Sequence, residues 1–356
     1  MHYCFLTSGT WQGNASFVRL REFGNELIAR GHRVSCIADD LPYNREQMPG
    51  MFNGRASTYI TEPSRGLGQI GARRKLIRKI GADYVHVLNP FAKAYAALRF
   101  TGQRIIGDWD EWPAARPHAF PRKQMERFLD RWLRRQSDHL IVASRYLQEQ
   151  FKLRFNLDAA YIPYATYLQP KEDGESPFKE PTAVYMGNLY PAYDHDLLFE
   201  AAKILKSRGK SPRMTILGGG PDLEKWQAFV RENDLSNVSL PGFLSGDILW
   251  RHLRHAHVLL FPIRENLLNL CRCPSKTFAY AQTKRPVIAN RIGEVAQVLG
   301  EKGTYVECNA EAFAQALDAL MQQPRPADVD YGVEQQNWAA RTNELLKVLS
   351  DGRKDG

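Results

Sequence analysis

Several groups of residues in this sequence have types and spacings that could carry chemistry. After the apolar run HVLLFP come Arg264 and Glu265, then Arg272, Ser275 and Lys276. A carboxylate at that place stands at the carboxyl end of a strand, where open α/β sheets put their ligands. A lysine at a helix start opposes the helix dipole, which favours a phosphate partner over a bare structural role. Gly218-Gly219-Gly220 closes the run RMTIL and precedes a helix. Consecutive glycines at such a junction suit a tight turn or the close approach of a ligand, and backbone N–H groups there can neutralise a diphosphate. Asp108, Asp110 and Glu111 stand among Trp109 and Trp112. Carboxylates beside aromatic faces suit a carbohydrate, and the same pattern suits a helix N-cap with a tryptophan staple. His86 ends an apolar strand, as a core histidine or as a contact facing a cleft, and His118 lies in the loop PAARPHAFPRK. His252, His255 and His257 with Cys271 and Cys273 match no structural zinc spacing, so no metal is expected.

The elements that position these groups follow from the hydrophobic pattern. HYCFLTSG is a short apolar strand that stops at Gly9. Phe17, Leu20, Phe23, Leu27 and Ile28 then recur at helical spacing up to Gly31, and His32–Ile37 is a second strand. Strand, helix and strand form a βαβ unit, and the pattern returns at 82–89, 104–110 and 137–144. A Pro-, Glu- and Ser-rich stretch, 166–182, reads as a linker. Beyond it the alternation restarts with AVYMGNL and runs to TYVE. The expected organisation is an α/β domain over 1–165, a second over 183–335, and a closing helix within 336–356 that contains Trp338.

Composition sets the outer bounds. With 44% hydrophobic and 24% charged residues over 356 positions, the chain can bury a core in each half without disulfide staples. Five cysteines (Cys4, Cys36, Cys271, Cys273, Cys308) suit a reducing compartment, and no apolar run approaches the roughly eighteen residues of a membrane span. The net charge of +9 is lopsided. Residues 1–165 hold 25 Lys and Arg against 15 Asp and Glu, whereas 166–356 hold 23 against 24. An anionic neighbour for the first half is implied, but without the interleaved aromatics of a nucleic-acid binder. The basic stretches RRKLIRKI (73–80) and RKQMERFLDRWLRR (122–135) are amphipathic, and fit either an ordinary solvated helix face or an anionic lipid surface. Gly66-Leu67-Gly68-Gln69-Ile70-Gly71 is a literal G-x-G-x-x-G, yet Glu62–Arg65 part it from the weak run STYIT. It reads as a surface loop before the helix ARRKLIRKI, and NAD is rejected as a cofactor.

The order of motifs in the second half resembles the retaining GT4 group of GT-B glycosyltransferases. Gly187, Gly218–Gly220, Asn237-Val238, Gly242, Pro262, Glu265, Pro274, Lys276 and Pro286-Val287-Ile288 fall in register with that family, and Gly9/Gly13, RGH-x-V and D-x-V-H match it in outline. The resemblance implies a GT-B architecture, two doubly wound Rossmann-like domains facing a cleft. The implied substrate is a nucleotide sugar, UDP- or GDP-linked, with no metal or other cofactor, and transfer to a glycan or lipid-linked hydroxyl proceeds with retention. The implied location is the cytoplasm, at the inner face of the membrane in the lipid-bound reading. Glu265 would hold sugar hydroxyls, and Lys276, Asp108 and Asp110 would share the catalytic work. Gly9, Gly13, Gly187, Asn188, Gly218, Gly219, Gly220, Arg264, Arg272 and Ser275 would bind the donor, and His86, Trp109, Glu111 and His118 the acceptor. The chain departs from the pattern at Asn188 and at Tyr193 or Asp194, where the family has phosphate-binding cations. It departs again at Ala279 in place of a second glutamate, and at Trp109-Asp110 in place of His-Asp. Either Arg264, Arg272, Lys276 and Arg291 take over those charges, or the chain binds without catalysing. A GT-B nucleotide-sugar epimerase is the remaining alternative.

Overall fold

A computed structural model describes residues 1–11, 15–61, 67–112, 132, 134–167, 174–324 and 326–351. The chain divides into two compact units. One comprises Met1–Ala165, Leu270–Cys273 and Asn337–Gly356, and the other Thr166–Asn269 and Pro274–Gln336.

Among the described residues, the first unit is built on seven parallel strands: β1 (His2–Leu6), β2 (Arg33–Asp39), β3 (Ser57–Thr61), β4 (Tyr84–Leu88), β5 (Arg104–Trp109), β6 (His139–Val142) and β7 (Ala160–Tyr161). They lie in the order β3-β2-β1-β4-β5-β6-β7. All residues of β1 and β4 are buried, because a central parallel strand is covered by helices on both faces. The helix Ala15–Ala29 buries Phe17, Leu20, Phe23 and Leu27, and each such side chain stabilises the fold by about 1.5–3 kcal/mol. Ile77 of the helix Leu67–Ile80, Ala94 and Leu98 of Ala92–Leu98, and Leu147 and Phe151 of Arg145–Phe155 join a second buried cluster with Trp109. The closing helix Trp338–Asp351 packs beside Ala15–Ala29. Trp338 meets the Phe23 ring edge-on at 5.4 Å, and Arg30 donates to the Ala339 carbonyl at 3.0 Å.

The glycine-rich stretch at 66–71 differs from its expected form. The helix starts at Leu67, so Gly68 and Gly71 lie in its first two turns and not in a preceding loop. Helical periodicity explains this: Ile70, Ile77 and Ile80 share the face that packs on the sheet. The run STYIT, weak as a sequence signal, pairs along its whole length with β2. Gly66 lies outside the described residues, as do Gly13, His118 and most of 122–135.

Among the described residues, the second unit carries six parallel strands: β8 (Thr182–Met186), β9 (Arg213–Leu217), β10 (Val238–Gly242), β11 (Val258–Phe261), β12 (Val287–Ala289) and β13 (Thr304–Tyr305), ordered β10-β9-β8-β11-β12-β13. Strand order reverses between β8 and β11, which makes the crevice beyond their carboxyl ends the place where such sheets bind ligands. His252, His255 and His257 each place a ring nitrogen 2.7–3.1 Å from a backbone carbonyl, of Ile248, Gly174 and Leu320 respectively.

Candidate active site

Three strand-end loops of the second unit are knitted backbone to backbone. Gly187 N–H donates to the Leu217 carbonyl at 2.9 Å, Leu189 N–H to Gly219 at 2.8 Å, and Gly218 N–H to Gly242 at 2.9 Å. A Cβ on Gly218 would drive into the Gly187 carbonyl oxygen, and one on Gly220 would sit 2.6 Å from the Leu189 oxygen. Glycine is needed at both positions first for loop-on-loop contact. Gly219 is different: nothing lies within 4 Å of the place its Cβ would take, so the space on that side of it is open.

Lys276, first residue of the helix Lys276–Gln282, reaches to the end of β8. Its Nζ lies 3.2 Å from the Tyr185 hydroxyl, 4.4 Å from the Tyr185 and Phe261 ring centroids, and 3.0 Å from where a Gly187 Cβ would stand. Gly187 thus leaves room for the ammonium beside the glycine loops. Asn188, next to Gly187 in the β8 loop, and Ser275, just before the helix, are half-buried. Glu265 is exposed in the loop after β11.

Arg264 does not offer the free cation expected of it. Asp196 takes its Nη1 and Nη2 at 2.7 Å each, and Asp194 accepts Nη1 at 3.2 Å. The hydrogen bonds to Asp196, with Asp194 beside them, push the guanidinium further up and hold it charged against two carboxylates. Arg291 is likewise engaged, paired with Glu301 and lying over the Tyr305 ring at 5.1 Å. Arg272 belongs to Leu270–Cys273, the segment that groups with the first unit.

At the carboxyl ends of β4 and β5 in the first unit lies a buried polar cluster. Arg19 donates to both oxygens of Asp108, Nε at 2.8 Å and Nη2 at 3.1 Å, and to the Pro163 carbonyl at 3.1 Å. His86 Nε2 is 2.9 Å from Asp108 Oδ2. Burial alone pushes the Asp108 carboxyl up, but Arg19 and His86 together outweigh it and hold it below the usual carboxylate range. Asp110 behaves the other way. Burial pushes it up, against the hydroxyls of Ser16 and of Tyr164, which donates at 2.7 Å. Asp108, Trp109 and His86 are all fully buried. The roles expected of them therefore change: Asp108 and His86 brace Arg19, and Trp109 spends its ring on Phe151, edge-on at 5.3 Å, with no face left for a sugar. Glu111 is half-buried beyond them.

The loop after β1 is braced as firmly. Asp39 accepts from Gly9 N–H at 2.8 Å and Ser8 Oγ at 3.0 Å, and pairs with the buried Arg73. Asn44 donates to the Gly9 and Asp39 carbonyls and accepts from Trp11 N–H, each at 3.0 Å. An acid at the end of the second strand is where dinucleotide folds hold a ribose. Here that carboxylate is consumed within the protein.

Comparison with known proteins decides the family. Residues 17–164 match the family described as Glycosyltransferase Family 4, and residues 180–323 match Glycosyl transferases group 1. The chain belongs to the GT-B glycosyltransferases. Among curated proteins, a GDP-mannose-dependent alpha-(1-6)-phosphatidylinositol monomannoside mannosyltransferase of Mycolicibacterium smegmatis is 25% identical over 244 residues, 62% of this chain and 63% of that protein. The match thus spans less than two thirds of that relative. Anabaena HepE, solved with UDP and glucose, superposes with a TM-score of 0.75 at 14% identity, over 98% of this chain and 99% of that one. The UDP-GlcNAc 2-epimerase of Methanocaldococcus jannaschii superposes with a TM-score of 0.60 at 11% identity, covering 99% of this chain and all of that one. These structural likenesses show the shared fold.

For this glycosyltransferase, the residues brought together in the second unit are Gly187, Asn188, Gly218–Gly220, Ser275 and Lys276, with Glu265 on the neighbouring loop. Sequence reading passed over Arg19, Asn44, Asp39, Asp196 and Tyr185. Apart from the Asn44 bond to the Asp39 carbonyl five residues away, their partners lie tens of residues away, and only Asp39, closing a strand before a helix, carried a local signal.

Proposed function

We propose that this glycosyltransferase moves a hexose from a nucleoside-diphosphate sugar to a hydroxyl of a glycan or lipid-linked acceptor, with retention at the anomeric carbon. The observation that carries the reading is Lys276 Nζ beside Gly187, at the point where strand order reverses, with the open side of Gly219 in the next strand-end loop. Breaking the bond between the anomeric carbon and the phosphate oxygen leaves charge on the departing diphosphate and an oxocarbenium-like sugar. A fixed ammonium and backbone N–H groups stabilise that charge as it develops. The exposed Glu265 accepts hydrogen bonds from sugar hydroxyls. GDP-mannose is the first donor to try, because the mannosyltransferase relative is named for it, and UDP-glucose is the second.

An anionic membrane surface fits the basic first unit. Lys75, Arg78 and Lys79 are exposed on the helix Leu67–Ile80, whereas Arg73 is buried and Arg74 donates to the Ala96 and Ala97 carbonyls. No helix among the described residues is long and apolar enough to cross a membrane. A location at the inner face of the membrane, with the acceptor in the lipid, follows from this reading.

The test is NMR of the products formed from GDP-mannose and UDP-glucose with and without an acceptor alcohol or glycolipid. A new glycosidic bond of unchanged anomeric configuration supports transfer with retention. An isomerised donor would make the chain an epimerase, and unaltered donors throughout would leave it a binding protein.

A further inference from the structure

The loop that carries Glu265 is held by a residue far away in sequence. Asp194, in the loop after β8, is nine-tenths buried. Its Oδ2 accepts the backbone N–H of Arg264 at 2.9 Å and Asn269 Nδ2 at 3.0 Å. Asn269, itself buried, also donates to the Arg264 carbonyl at 2.7 Å. Both backbone polar groups of Arg264 are therefore fixed by one carboxylate and one amide. One residue earlier, Ile263 N–H donates to Asn290 Oδ1 at 2.9 Å. The Arg264 side chain folds back onto Asp196 and Asp194, away from any role as a free charge. Glu265 is the next residue, exposed and joined directly to this fixed backbone.

We infer that Asp194 is a positioning residue that sets Glu265 through the Arg264 backbone, and that Arg264 is a strut and not a diphosphate ligand. The inference rests on the reading of Glu265 as a contact to the donor sugar. A backbone N–H and a carbonyl that are both hydrogen-bonded hold their residue in place, and a displacement of about 1 Å at a substrate contact costs up to about a hundredfold in rate. Because Glu265 meets the sugar and not the nucleotide, losing Asp194 must weaken turnover of the sugar nucleotide while sparing the free nucleotide. A general structural defect would weaken both.

The experiment measures Kd for GDP and UDP, and kcat and KM for GDP-mannose and UDP-glucose, in the full chain and in Asp194→Ala, Asp194→Asn, Arg264→Met and Glu265→Gln. Asp194→Ala is expected to lower kcat/KM between about tenfold and a hundredfold, with nucleotide Kd unchanged within about twofold. Asp194→Asn keeps one acceptor oxygen and is expected to fall between it and the parent, so the inference stays open to refutation should the alanine variant not fold. Arg264→Met keeps the backbone N–H on Asp194 and is expected to leave nucleotide Kd unchanged. A loss of nucleotide affinity in Arg264→Met would make Arg264 a phosphate ligand and overturn the inference. Parent-like turnover in both Asp194 variants beside a crippled Glu265→Gln would overturn it while sparing the reading of Glu265. Parent-like turnover in Glu265→Gln, or no nucleotide binding by the full chain, would overturn that reading and the inference with it.

Discussion

Asp108 and Asp110 are two residues apart at the end of one strand, and the structure predicts opposite responses to the same substitution. Asp108 faces the fully buried guanidinium of Arg19 and the ring of His86. Removing one member of a buried ion pair strands the other, at about 3–5 kcal/mol. For a unit of this size each kcal/mol moves the midpoint by about 2–4 °C, so Asp108→Ala should lower it by about 6–20 °C. The pH dependence separates the two carboxyls. Asp108 has a folded pKa below its ordinary value, so its contribution is present above that value and lost as pH falls through the folded pKa. Asp110 has a folded pKa above its ordinary value, so its contribution is present at low pH and lost as pH rises through the folded pKa. Asparagine mimics the protonated acid. Urea denaturation should therefore show the cost of Asp108→Asn shrinking as the pH is taken below the ordinary carboxyl value, and the cost of Asp110→Asn smaller at pH 7 than at pH 4. The same trend in both variants, or a cost below about 1 kcal/mol for Asp108→Ala, would refute the assignment of charge in this cluster.

Other outcomes follow from the loops. Asn44→Ala removes three hydrogen bonds from the Gly9 loop and should cost about 2–4 kcal/mol in denaturant titrations. Gly218→Ala should prevent folding or cost more than about 3 kcal/mol, because its Cβ meets a backbone oxygen. Gly219→Ala should leave stability within about 0.5 kcal/mol, so any loss of nucleotide affinity in that variant, followed by calorimetry, reports the ligand surface directly.

The sheet and its strand-end loops were legible in the sequence because parallel strands are continuous apolar runs that end in glycine or polar residues. Gly187, Gly218–Gly220 and Glu265 could be placed at strand ends on that ground, and Lys276 at a helix start. The direction of side chains was less legible. Trp109 looked like a sugar platform because it sits between acids, but strand alternation turns it into the core, away from Asp108, and both faces of β5 are covered. Arg264 looked like a free cation because its partners, Asp194 and Asp196, lie 70 and 68 residues upstream. Spacing arguments see neighbours within a few turns or one strand, and neither partner falls within that reach. The helix start at Leu67 was hidden by two glycines whose low helix propensity was overridden by packing of Ile70 and Ile77 on the sheet.

The most direct test of the account is the thermal stability of the full chain and of Lys276→Ala with GDP, UDP, GDP-mannose and UDP-glucose. A ligand at a hundred times its Kd stabilises the state it binds by about 2.7 kcal/mol, well above the resolution of a melting curve. The predicted result is a clear upward shift with one nucleotide family in the parent chain, greatly reduced in Lys276→Ala. An equal shift in both proteins would remove Lys276 from the diphosphate site, and no shift with any of the four would contradict the nucleotide-sugar account itself.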